Sequence, residues 1–114
     1  LPFEPDAEAS GGEAARSIQG EAEPMLIIAE RINATRKRIG QAFAARDAAF
    51  IQEEARRQVE AGADYLDLNA ALDPQQERDL MAWVVQTVRE TTDVPLAVDT
   101  ASPEAARAGL TLLP

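Results

Sequence analysis

Apolar residues follow two rhythms along this chain. Three short runs, Leu26 to Asn33, Tyr65 to Asn69 and Leu96 to Thr100, are compact and strand-like, and helix-patterned sequence follows each. Met25 to Ala29 is continuously apolar after Pro24, which predicts a strand covered on both faces. In the second run Leu66 and Leu68 alternate with Tyr65, Asp67 and Asn69, so the leucines are expected against a helical layer and the polar residues on the opposite face. Pro95 opens the third run, where a missing N–H does least harm.

The intervening segments carry helix punctuation. A short helix is predicted over Lys37 to Ala45. Asp47 is a natural N-cap for a second, with Ile51, Ala55 and Val59 on one stripe and Gly62 as its left-handed stop. Asp73-Pro74 predicts another start, with Leu80, Val84 and Val88 on the buried stripe, Met81 and Val85 beside them and Trp83 at its edge. Gln75 to Asp79 reads as a solvated first turn. Ser102-Pro103 repeats the cap-plus-proline signal for a helix ending near Ala108 or Gly109. The resulting β-α-β-α-β-α order implies a parallel sheet with right-handed crossovers.

Composition narrows the chemistry. The 114 residues hold no cysteine and no histidine, so thiolate and imidazole sites and Ser-His-Asp chemistry are excluded, and any metal would be a hard cation on oxygen ligands. The net charge is -9, of which -5 falls on residues 1–24. That Pro-, Gly-, Ala- and Glu-rich stretch has only Leu1, Phe3 and Ile18 as sizeable apolar side chains, and is expected to be a disordered acidic tail preceding a domain at 25–114. The acidic balance argues against nucleic-acid binding. No apolar stretch reaches the ~20 residues of a membrane span and the N-terminus is not a signal peptide, so a cytoplasmic protein is the expectation. Arg36-Lys37-Arg38 is the one basic cluster; it reads first as a solvated face and second as a contact for an anionic ligand tail.

In a parallel α/β arrangement Glu30, Asn33, Asp67, Asn69 and Asp99 fall at the carboxyl ends of neighbouring strands, where such folds bind ligands. Carboxylates and amides suit a ligand rich in N–H donors. Each also has a plainer use: Asp99 as a helix cap, Asp67 as an acceptor for backbone N–H groups, Asn69 as a turn residue, and Glu30-Arg31 as a structural ion pair.

The run Met25-Leu-Ile-Ile-Ala-Glu-Arg-Ile-Asn33, with Gln52 to Gln58, Leu66-Asp-Leu-Asn69 and Val98-Asp-Thr100, resembles the pterin-binding barrels, and within them the methyltetrahydrofolate:corrinoid methyltransferases. The resemblance spans Met25 to about Leu110. It implies an α/β fold that is the N-terminal β-α-β-α-β-α portion of a TIM-type barrel, which in full needs eight units and ~250 residues. It further implies that Asp99 hydrogen-bonds the pterin ring, that Asp67, Asn69 and Asn33 line the same cavity, and that Glu30 and Arg31 support its mouth. No catalytic residue for activation at N5 and no metal ligand follows from it. The implied substrate is methyltetrahydrofolate, the implied partner a corrinoid protein carrying cobalamin, and full-length members tend to form homodimers. Ala29 stands where the family usually has glycine, and Ala70-Ala71 where it usually has Val-Gly. A dihydropteroate synthase is the alternative enzyme, although Asn33-Ala34-Thr35-Arg36 does not match the loop that family carries after its first strand. Because three strands leave two free edges, the chain is expected to be the front part of a longer protein, inactive by itself, with a non-catalytic remnant as the third reading.

Overall fold

The computed structural model describes residues 25–114; the expected tail at 1–24 lies outside the described residues. The elements run β1 (Ile28–Asn33), α1 (Lys37–Ala45), α2 (Ala48–Glu60), β2 (Tyr65–Asn69), α3 (Glu77–Arg89), β3 (Leu96–Val98) and α4 (Pro103–Leu110). The strands form one parallel sheet in the order β1-β2-β3. This is the small parallel α/β architecture that the alternation of runs predicts. Among the described residues no helix is long and apolar enough to cross a membrane.

One sheet face meets the helical layer. Ala29 and Ile32 of β1 and Leu66 and Leu68 of β2 are buried there against Phe43, Ile51, Ala55, Leu80, Val84 and Val88. Phe43 and Trp83 meet edge to face, with ring centroids 6.4 Å apart, a geometry that adds favourable quadrupole contact to area burial. Among the described residues nothing covers the opposite face. Ile28 is 51% exposed and Leu26 71%, so the first run is covered on one side rather than both. The continuous apolar run concealed this, because Leu26 precedes β1 and the strand extends instead through the polar residues to Asn33.

β1 carries a bulge. Ala29 pairs with Leu66 and Ile32 with Leu68, so three residue steps on β1 oppose two on β2. The extra residue resets the in-out alternation. Ala29 and Ile32 therefore both face the helices, while Ile28 and Asn33 pair with Tyr65 and Asn69 of the other face.

The helix signals are partly confirmed. Asp47 caps α2 by accepting the Phe50 N–H at 3.1 Å, and Ser102 caps α4 by accepting the Ala105 N–H at 3.1 Å. Asp73-Pro74 does not open α3: Asp73 accepts the Gln75 N–H at 3.0 Å in a turn, and the helix begins three residues later, at Glu77, after Gln76. An aspartate that closes a local turn is chemically the same signal as one that opens a helix, and the two differ only in what the next residues do. Glu77 in that first turn is buried rather than solvated, and accepts a hydrogen bond from the Thr100 hydroxyl. Two glycines mark close approaches. A Cβ at Gly40 would lie 2.9 Å from the Ala34 carbonyl oxygen, and one at Gly109 would lie 3.1 Å from Met81 Cγ.

Candidate functional site

The open face gathers the polar strand-end residues. Tyr65, Asp67 and Asn69 share that side of β2 by alternation, and Asp67 pairs with Ala97 of β3. The Asp99 N–H donates to the Leu68 carbonyl at 2.9 Å, which carries the β3 ladder one step past its last strand residue and returns Asp99 to the side of Ala97. Asp67 lies between Asp99 and Glu30 closely enough that both charges act on it. Burial, then the Asp99 charge, then the Glu30 charge push its carboxyl up to about 6 from 3.8.

The hydrogen-bond state of Asp67 is the sharpest feature of the site. Its Oδ1 is buried with no partner among the described residues. An unsatisfied buried acceptor is costly and rare in folded proteins, and its need is met by a donor from a ligand or from water. The expectation that Asp67 serves only backbone N–H groups is not what the structure shows at Oδ1.

Asn33 and Asn69 flank the carboxylates at the end of β1 and β2 and sit opposite each other in the sheet register. Their side-chain oxygens are committed to local turns. Asn33 Oδ1 accepts the Thr35 N–H at 2.9 Å and the Thr35 hydroxyl at 2.6 Å, and Asn69 Oδ1 accepts the Ala71 N–H at 2.9 Å. Each keeps its NH₂ group uncommitted among the described residues, so these amides can present donors where the three acids present acceptors. No group of three or more His, Cys, Asp or Glu side chains among the described residues is arranged to hold a metal ion.

Arg31 belongs elsewhere. It does not pair with Glu30; its Nε donates to Glu54 of α2 at 3.2 Å, on the helical side of the sheet. The bulge explains the separation, since Glu30 and Arg31 stand at the point where the alternation resets. Glu54 is nearly buried and also accepts from Gln58 Nε2 at 2.7 Å. This Arg31-Glu54-Gln58 group was not anticipated, yet a signal existed: Glu54 and Gln58 occupy the same helical face as Ile51 and Ala55.

A family model described as "Pterin binding enzyme" matches residues 29–113. This chain belongs to the pterin-binding enzyme family. It is also 36% identical over 84 residues to a methylcorrinoid:tetrahydrofolate methyltransferase of Eubacterium limosum, an alignment covering 74% of this chain and 31% of that protein. The chain thus spans about a third of the length of the curated relative it matches. As a pterin-binding family member it places its parallel strands, and the acids and amides at their ends, inside the matched region.

Proposed function

We propose that the open face supplies part of a pterin pocket, with Asp99 and Asp67 accepting from the N–H and NH₂ groups of the ring edge and Asn33 and Asn69 lining the same cavity. The observation that carries this reading is the buried, unpartnered Oδ1 of Asp67 beside Asp99 and Glu30. Two acceptor oxygens per carboxylate match adjacent ring donors, and such charge-assisted bonds are roughly twice as strong as neutral ones. Ligand donors at this place also relieve the mutual repulsion of the acids.

The substrate we assign is a folate, tetrahydrofolate or its N5-methyl form, and the reaction of the complete protein is methyl exchange between that N5 and the cobalt of a corrinoid carried by a partner protein. The likeness to the methylcorrinoid:tetrahydrofolate methyltransferase supports this over the synthase alternative. In the direction of methyl donation by the folate, the N5–methyl bond would break with its electron pair staying on nitrogen, which would take up a proton, and the partner's reduced corrinoid would supply the pair for the new bond to the methyl; the relative's name is written for the reverse. This chain's own residues bind and orient the ring. None of the described side chains is assigned the activation of N5, and the 114-residue chain is accordingly a binding unit that does not turn over alone.

Thermal unfolding of the chain followed by circular dichroism, with and without excess methyltetrahydrofolate, tests the binding claim. The ligand raises the midpoint by mass action, and Asp99→Ala or Asp67→Ala abolishes the shift. A midpoint that ignores the ligand, or a shift that both variants retain in full, rejects the pocket.

A further inference from the structure

A second polar feature lies on the helical side of β1, away from the open face. A cleft of about 290 Å³ is lined by Arg31, Arg36, Lys37, Arg38 and Arg57, with Glu54 as its one acid. Glu54 is already engaged, with Arg31 at 3.2 Å and Arg57 at 3.6 Å. Arg36, Lys37 and Arg38 make no ion pair among the described residues. The Arg38 guanidinium rests 3.8 Å from the centre of the Phe50 ring, a stacking contact that fixes its position without using its N–H donors.

The placement of these cations runs against local electrostatics. Lys37 and Arg38 open α1, and Arg36 is its N-cap residue. The start of a helix carries partial positive charge and free N–H groups, so cations there repel it and acids favour it. α1 has no acid in its first turn and no side-chain cap. The chain as a whole carries 20 acids against 11 bases, so basic residues are concentrated here against the general trend. Arg38 is compensated by the Phe50 ring, but Arg36 and Lys37 have no ion pair among the described residues, and local rules broken in this way concentrate at functional sites.

We propose that this cleft, between the end of β1, the first turn of α1 and the adjoining face of α2, binds a compact anion of two or more charges, a phosphate or a cluster of carboxylates. The Arg36 guanidinium fork grips paired oxygens, Lys37 adds a point charge, and the free N–H groups of the first turn of α1 donate to the same anion, while Arg57, paired with Glu53 at 3.7 Å and Glu54 at 3.6 Å, contributes charge from the α2 wall. The site does not depend on the pterin reading, because its residues lie on the other side of the sheet from Asp67.

The test titrates the full chain with sodium phosphate, tripolyphosphate and citrate at ionic strength held constant with sodium chloride, following thermal unfolding and calorimetric binding. A saturable upward shift is expected, and Arg36→Gln with Lys37→Gln, which removes two charge-assisted contacts, raises the half-saturating concentration at least about tenfold, the loss that one such contact alone would give. In chloride alone the same double variant melts higher than its parent, because it removes repulsion at the start of α1. Arg57→Gln weakens the anion response without that gain. Preference for the phosphates assigns a phosphoryl ligand; an equal or stronger response to citrate assigns a carboxylate one. Equal half-saturation in parent and double variant, or a shift that chloride reproduces, overturns the proposal. A methyltetrahydrofolate response lost without loss of the anion response rejects the pterin pocket alone.

Discussion

Asp67 shows how one side chain can set the pH behaviour of a site. Its carboxyl titrates near 6 rather than 3.8 because burial and the neighbouring Asp99 and Glu30 charges disfavour ionisation. A folded-state pKa raised above the unfolded value favours the native state below about 3.8, and that advantage is lost as pH rises through about 6. Asp67→Asn, which mimics the neutral acid, is therefore expected to raise the melting temperature at pH 8 and to give no such gain at pH 4. Melts of both proteins across that range check it, and a gain of equal size at both values would show that the charge is not the cause. The pterin response should weaken in parallel as pH falls through about 6, since a protonated Asp67 offers fewer acceptors. The sequence revealed that Asp67 and Asp99 stand at strand ends. It did not reveal the raised pKa, which depends on distances across three strands.

Helices and strands differ in how much of their placement was legible. α1 and β2 fall where the periodicity puts them, because their stripes and breakers agree. α3 begins later than Asp73-Pro74 suggests, because that aspartate closes a turn of its own. The distinction has a measurable consequence. Asp47→Ala removes a true N-cap and is expected to cost about 1 kcal/mol, whereas Asp73→Ala costs no more than about 0.5 kcal/mol. Urea titrations of both variants compare the two, and equal losses would return Asp73 to the role of a cap. The ion pair of Arg31 was misplaced for a related reason: neighbours in sequence look like partners, but the bulge sends Glu30 and Arg31 toward different surroundings. A bulge leaves no distinctive composition in β1, so a strict two-residue alternation could not have found it.

At the scale of the whole molecule the sheet has, among the described residues, a helical layer on one face and none on the other, with β1 and β3 as its edges. Unpaired edges and an open face bearing Ile28 invite association. Sedimentation of the purified chain is expected to show concentration-dependent self-association, reduced by Leu26→Lys with Ile28→Lys. A monomer at every concentration, in parent and variant alike, would remove that expectation. The architecture was legible because alternating strand and helix patterns admit few parallel arrangements; the openness of one face was not, since Ile28 looks apolar whether or not anything covers it. The extra residue in β1 gives this picture its last consequence. By shifting the phase of a single strand, it lets a six-residue element serve two compartments at once, an acid-lined surface and a cation-lined cleft. The spacing between Ala29 and Ile32 thus decides what β1 shows to each side of the sheet. Removing one of the two residues between them would leave Ala29 and Ile32 against the helices and would cost the strand either its Glu30 or its Arg31 side chain.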